Sequence, residues 1–484
     1  MKIHRIEVKN YKAFHGKHTV APKGKNLFVY GENGSGKSSL YYALKDFFQA
    51  SREDIDMEEL ENIFADEADR GNGYIKIAFK PNTAGENREE VFELSKTVQD
   101  PRRITQIADT NKLKSFLTYK KFLGIHYAKK GEHIDLFDLL VNSVLVHYKN
   151  PVLTNELGAL WKDCQETIQK KTSRSYSIIS KRAEINRKLK AFNDGFEEMF
   201  KPGRPECIKD AANELLSYFK YQLEIDLQFK KARTDDEAKN LVGQAVGLKL
   251  RYRGRPVEHP QFLLNEARLT AIALAIYFAS ILKQPQAKDY KIIFLDDIFI
   301  GLDMSNRLPV LEIIRDKFQD YQVFITTYDK AWYEYAKSWL PASEWVTYEF
   351  YAKPEHQHGF EIPLIKGGRP FIEQAEAYYN DRDYKAAAVY IRTAFEELLK
   401  KYCDEKGIAV RYRLKTKTYT TQDFWNVLKG LAPIDGTTEK SQIEVYRDLV
   451  MNPLAHYNIE KPEFVREIRE TIDVVKRLKE ILFS

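Results

Sequence analysis

Apolar residues in the N-terminal third recur at two spacings. Ile3, Ile6 and Val8 in "IHRIEVKNYKAF" predict a strand running into a turn, and Leu27, Phe28, Val29 and Tyr30 form the short apolar run of a buried strand. Leu40, Ala43, Leu44, Phe47 and Phe48 then switch to helical spacing. "GYIKIAF" and "EVFELSKTV" predict further strands, so a β-rich lobe surrounds residues 31–39. "SFLTYKKFLGIHY" and "IDLFDLLVNSVLVHY" predict helices with broad apolar faces. From Asn150 to Lys239 the pattern is helical and charged, with a break at "KPGRP" that predicts two arms joined near Pro202 and Pro205 as an antiparallel hairpin. After "RYRGRPVEHP" come a helix ("FLLNEARLTAIALAIYFASIL"), a strand ("YKIIFLDDIF"), a helix ("RLPVLEIIRDKF") and a strand ("YQVFITTYD"). That alternation predicts a mostly parallel sheet with helical cover, an α/β fold. "AKPEHQHGFEIPLIKGGRP" predicts a polar linker, and residues 371–484 are almost wholly helical, with one helix–turn–helix of the tetratricopeptide kind and no second copy. The expected divisions are 1–150, an inserted hairpin at 151–239, 240–353, and a helical domain at 371–484.

Composition narrows this picture only a little. A chain of 484 residues is long for one core, and 43% apolar with 30% charged residues fits a soluble globular protein. No apolar run reaches the length of a membrane span, and the N-terminus lacks a signal-like stretch. Cys164, Cys207 and Cys403 are far apart and form no C-x-x-C pair, which argues against zinc sites and disulfides and predicts a reducing cytoplasm. A net charge of +6 permits nucleic-acid contact without demanding it.

The chemistry begins where strand gives way to helix. Gly31-Glu32-Asn33-Gly34-Ser35-Gly36-Lys37-Ser38 matches G-x-x-x-x-G-K-[ST] in the strand–loop–helix context that a phosphate-binding loop requires. Its glycines let backbone N–H groups of residues 31–39, through Ser39, turn toward phosphate at a helix N-terminus. Lys37 would reach the β- and γ-phosphates of a nucleoside triphosphate, and the Ser38 hydroxyl would hold Mg²⁺. Far along the chain, Ile292–Leu295 precede Asp296 and Asp297. Asp296 at the strand end would hold Mg²⁺ through a water, and Asp297 would orient or activate the attacking water.

"LNEARLTAIALA", "LDD", "GLDMSNR" and "VFITTYD" occur in an order that resembles the ABC-type ATPase heads of the SMC and RecF group. The resemblance covers residues 1–150 and 240–335 and implies ATP and Mg²⁺ as ligands. It implies that Lys12 approaches the α-phosphate, that Asn265 and the helix it caps meet the γ-phosphate held by another subunit, that Asp303 lies in the loop after the acidic motif, and that Tyr328 occupies the switch position. Two copies of the chain, or a larger assembly, follow from that arrangement. Three departures imply slow turnover: Asn265 and Ala267 where the group shows serine and glycine, Asp297 for the usual glutamate, and Tyr328 for the usual histidine.

Short arms without a zinc hook, and a helical extension, resemble the ATPase subunits of bacterial anti-phage systems, those of the PARIS and Septu kinds. That resemblance implies a phage-derived trigger, such as a phage protein, and a separate nuclease or toxin effector from the same operon. Two alternatives stay open. Lys170, Lys171, Arg174, Lys181, Arg182, Arg187, Lys188 and Lys190 could track a phosphate backbone, as in a DNA-repair ATPase, or form a solvated helix face. Arg447, Asn452 and His456 in "VYRDLVMNPLAHYNIEKPEF" could act as a HEPN-type ribonuclease, although the spacing is long and Pro453 interrupts; a capped turn is the simpler reading. Tyr378, Tyr379, Trp425 and Tyr446 are candidate docking anchors if solvent-facing.

Overall fold

Two sheets enclose the first helix. β1 (Lys2–Tyr11) pairs antiparallel with β2 (Phe14–Val20) and with β4 (Tyr74–Lys80), and β4 with β5 (Glu90–Ser95), in the order β2-β1-β4-β5. The larger sheet contains β3 (Asn26–Gly31), β6 (Phe116–Thr118), β12 (Ile292–Asp296), β13 (Gln322–Thr327), β14 (Trp345–Pro354) and β15 (Glu361–Gly367). Its order is β15-β14-β3-β13-β12-β6, with β14, β3, β13, β12 and β6 parallel. Helix α1 (Lys37–Gln49) packs Leu40, Leu44, Phe47 and Phe48 with Ile6 and Ile75 of one sheet and Phe294 and Phe324 of the other. Strands buried on both faces explain why β3, β12 and β13 read as continuous apolar runs. Gln322 ties the sheets together: its amide accepts from Ile3 N–H at 2.7 Å and donates to the carbonyls of Ile3 at 2.9 Å and Lys25 at 2.7 Å.

The computed structural model describes residues 1–81, 88–122, 134–173, 176–258, 264–284, 289–354, 359–367, 370–410, 419–452 and 465–483. Met1–Lys366 and Gly367–Ser484 form separate compact units.

Several expectations are corrected. "SFLTYKKFL" is not a helix: Phe116–Thr118 is the edge strand β6, after helix α2 (Thr105–Lys112). The helical arms do not run to residue 239 or turn near Pro202. Helices α3 (Leu157–Gln169) and α4 (Ile178–Glu197) already lie side by side, with Lys181 donating to Ile168 O at 2.6 Å and Lys188 reaching Asp163 at 2.7 Å. At 1.5 Å per residue they are about 20 and 30 Å long, well short of the longest arms the sequence allowed. After α5 (Ile208–Ser217) the chain becomes strand. β7 (Leu223–Lys230) pairs antiparallel with β10 (Ala245–Tyr252), and β10 with β11 (Arg255–Val257), with two-residue strands β8 (Arg233–Thr234) and β9 (Leu241–Val242) between. The polar linker is also partly strand, since β15 lies within it and joins the central sheet.

Helix α6 (Glu266–Lys283) is buried along most of its length, in a core that also receives β12, β13 and helices α7 (Met304–Lys317) and α8 (Lys330–Trp339). The second unit, among its described residues, consists of α9 (Phe371–Asn380), α10 (Tyr384–Glu405), α11 (Thr421–Leu428), α12 (Thr438–Tyr446), a π-turn Arg447–Met451 and α13 (Val465–Phe483). Trp425 is fully buried there against Phe395, so it is not an exposed anchor; its bulk serves the core. Tyr378 stacks on Tyr390, Tyr379 packs on Tyr384, and Tyr446 donates to Glu470. All three cysteines are buried and unpaired. No described helix is long and apolar enough to cross a membrane.

Candidate nucleotide site

β3 ends at Gly31, and the next five residues curl back before α1 begins. Gly34 and Gly36 sit at φ +83° and +93°, a left-handed backbone that side chains resist. A Cβ on Gly31 would stand 2.4 Å from Ser35 Oγ and 2.7 Å from Lys37 Cγ, so the loop closes only over glycine. Inside it Ser35 Oγ is fully buried without a hydrogen-bond partner, while Asn33 and Ser38 face solvent. Lys37 bends back over the loop and donates to Gly31 O at 2.6 Å and Glu32 O at 3.1 Å.

The end of β12 supplies the acids. Ser38 Oγ donates to Asp296 Oδ2 at 3.2 Å, and Thr326 of β13 donates to Asp296 Oδ1 at 2.6 Å. Asp297 takes a left-handed backbone, φ +52°, which turns its carboxylate away from the strand to 4.0 Å from Lys37 Nζ. Its Oδ1 is buried without a partner. Burial pushes the Asp297 carboxyl up to about 6, with Lys37 opposing and Asp296 adding to the shift. Burial likewise raises Asp296, opposed by the bonds from Thr326 and Ser38, and lowers Lys37 against the pull of both carboxylates. An ammonium and two carboxylates held in poor solvation are poised for ligands that complete their charge balance. Ser38 and Asp296 offer hard oxygen donors suited to Mg²⁺. No group of three or more His, Cys, Asp or Glu among the described residues could hold a metal, so such an ion would be completed by the phosphates and water.

The remaining expected residues fall in two places. Near the loop, Lys12 sits in the turn after β1 at φ +48°, its ammonium 5.1 Å from the Tyr42 ring; the next residue, Ala13, donates its N–H to Ser39 Oγ at 3.2 Å. Ser39 therefore anchors that turn. Elsewhere, Asn265 caps α6 by accepting from Arg268 N–H at 3.2 Å. Gly301, at φ +83°, packs against its first turn, where a Cβ would lie 2.9 Å from Glu266 Oε1. Asp303 caps α7, accepting from Asn306 N–H at 3.1 Å. Asn265 and the 301–303 loop thus lie together. Arg268, one turn in, stacks over Tyr221 and Tyr252. Tyr328 is 46% exposed, and its backbone amide helps hold the Asp297 carboxylate.

Thr326 and β15 were missed by sequence reasoning. Pro363 of β15 packs on the phosphate loop, where a Cβ on Gly36 would lie 2.8 Å from its Cγ. The only sequence signal for Thr326 was its place at the end of "VFITT"; for Pro363 there was none.

In the two rival clusters, several of the described groups already have partners. Lys170 and Lys188 both pair with Glu184, Lys188 also with Asp163, and Lys190 with Asp194. Lys181 is buried, and Arg182 donates to Asp236 O. Arg187 stays exposed; Arg174 lies outside the described residues. Arg447 is buried and donates to Gln422, Asn452 N–H donates to Arg447 O at 2.9 Å, and His456 lies outside the described residues.

Residues 2–344 match the RecF/RecN/SMC N terminal domain family. No curated protein matches the chain. Among solved structures, the chain is similar to an SmcHead bound to the C-winged helix domain of ScpA, at 13% identity over 77% of this chain and 100% of that one, TM-score 0.40. It is similar to a Pyrococcus furiosus Smc head with an extended coiled coil, bound to the C-terminal domain of ScpA, at 14% identity over 79% and 99%, TM-score 0.42. A Thermotoga maritima SMC head matches at 16% over 76% and 100%, TM-score 0.35. These distant likenesses add nothing to what the family match shows.

Proposed function

The chain belongs to the RecF/RecN/SMC N terminal domain family, and on that premise we propose that it is a slow, Mg²⁺-dependent ATPase whose bound ATP joins two copies of the chain. The convergence of Lys37 and Ser38 at the start of α1 with Asp296 and Asp297 at the end of β12, far apart in sequence, carries the reading. Lys37 neutralises the β- and γ-phosphates, and the buried Ser35 hydroxyl and the left-handed glycines aim donors into the same cradle. Asp297, with its free Oδ1, accepts the proton of an attacking water. One methylene shorter than glutamate and without an imidazole at Tyr328, it does so slowly. ATP occupancy then acts mainly as glue, through the exposed α6 N-terminus at Asn265 of the neighbouring copy.

The finer reading is an anti-phage ATPase that senses infection and holds a separate nuclease or toxin effector. Short arms, no zinc hook among the cysteines and a helical second unit support it. A DNA clamp is less favoured, because most of the arm cations are spent on intramolecular partners. The test is sedimentation of Asp297→Asn with ATP and Mg²⁺, which should dimerise where Lys37→Ala stays monomeric. Wild-type turnover well above about 10 s⁻¹ would contradict the slow-ATPase reading. Copurification from the native operon should bring a second polypeptide; its absence would remove the effector reading alone.

A further inference from the structure

Three rings gather at the rim of the phosphate loop. Phe64 lies flat on Phe360, centroids 4.1 Å apart and planes 5° from parallel, and His15 meets Phe360 edge-on at 5.1 Å. Phe64 is 48% exposed although one face is covered, so its opposite face is open; Ile63 beside it is 80% exposed. Both sides of this stack are tied to the loop. Asn62 donates its side-chain amide to Lys12 O at 2.6 Å and its N–H to Asn10 O at 3.0 Å, and so holds Phe64 on the turn that Ser39 anchors. Phe360 leads directly into β15, where Glu361 and Pro363 flank Gly34 and Gly36.

An exposed, pre-stacked aromatic pair beside a phosphate cradle matches the flat, apolar end of a nucleotide. We propose that Phe64, backed by Phe360 and edged by His15, seats the nucleotide's base, and that a purine stacks on its open face. Stacking grows with ring area and needs no base-edge hydrogen bonds. The Asn62 amide beside Phe64 is already engaged with Lys12. The seat therefore favours purine over pyrimidine triphosphates and separates ATP from GTP weakly.

This inference rests on the nucleotide reading, and calorimetric titration of the full-length protein with Mg²⁺ separates the two. Phe64→Ala should weaken ATP and GTP about tenfold and leave inorganic tripolyphosphate unchanged. Phe64→Trp should retain ATP binding, with the introduced indole fluorescence quenched by ATP and not by tripolyphosphate. Equal binding of CTP and ATP to the wild type, loss of tripolyphosphate binding along with ATP in Phe64→Ala, unaltered ATP binding in Phe64→Ala, or indole fluorescence in Phe64→Trp that ATP leaves unquenched would each overturn the base seat. If the wild type binds neither ATP nor tripolyphosphate, or if Lys37→Ala binds ATP as well as wild type, the nucleotide reading itself falls and this inference with it.

Discussion

Asp297 joins two demands that oppose each other. Its backbone at φ +52° and its buried, unpartnered Oδ1 leave a carboxylate beside Lys37, where the proposed mechanism needs a base, and the same burial raises its pKa to about 6. Hydrolysis that needs the carboxylate should therefore fall about tenfold per pH unit below about 6 and level off above pH 7. A pH–rate profile flat through that range would assign the base elsewhere. The stability sign is the reverse of that for a salt-bridged acid. Between the usual Asp value and about 6 the folded chain binds more protons than the unfolded one, so stability falls as pH rises through that window. Asp297→Asn should remove this penalty. Without nucleotide it should melt above wild type at pH 7.5, by a difference on the order of 1–3 kcal/mol, and by about a third of that at pH 4.5. Thermal scans at the two pH values check it.

Capping and sheet contacts set the next scale. Asn265 accepts from Arg268 N–H at the start of α6, so Asn265→Ala should cost about 1 kcal/mol of stability, while Asn265→Asp keeps the cap. If the residue also faces a neighbour's γ-phosphate, Asn265→Asp should melt like wild type and still lose ATP-dependent association, because a carboxylate then meets the phosphate. Association of Asn265→Asp equal to wild type would reduce Asn265 to a cap. Gln322 makes three bonds across the sheets, and Gln322→Leu strands the Ile3 and Lys25 groups, a loss of about 2–4 kcal/mol in denaturant unfolding. These elements also show what the sequence made legible. β3, β12, β13 and α6 were readable because strands and a helix buried on all sides are apolar throughout. The phosphate loop was readable because its backbone tolerates glycine alone at Gly31, Gly34 and Gly36. β7 was not, although Leu223, Ile225 and Leu227 alternate with Glu224, Asp226 and Gln228; the surrounding charge masked a period of two. β15 carries a proline as its one buried residue, so nothing local distinguishes it from a linker, and only its docking on the sheet makes it a strand. Thr326 positions Asp296 across strands, a contact that no linear spacing encodes.

Assembly is where the proposed chemistry becomes a property of the whole molecule. Lys37, Ser38 and both aspartates come together within one copy, whereas Asn265 and the 301–303 loop form a second group around the start of α6. If the second group of one copy completes the first group of another, each dimer has two composite sites, and defects in the two groups complement each other. Lys37→Ala destroys the phosphate side and Asn265→Asp the capping side. Neither chain alone should hydrolyse ATP. Mixed in equal amounts, the pairs that form are heterodimers, since neither variant pairs with itself, and in each one site combines the intact Lys37 of one chain with the intact Asn265 of the other. Turnover should return to at most about one half of wild type, because one of the two sites in each isologous pair is intact. A steady-state assay of the mixture, taken after subunits have exchanged, measures this directly. If Asn265→Asp alone is active, or if mixing restores nothing while both variants still associate, hydrolysis is completed within a single chain and the signature turn has another task.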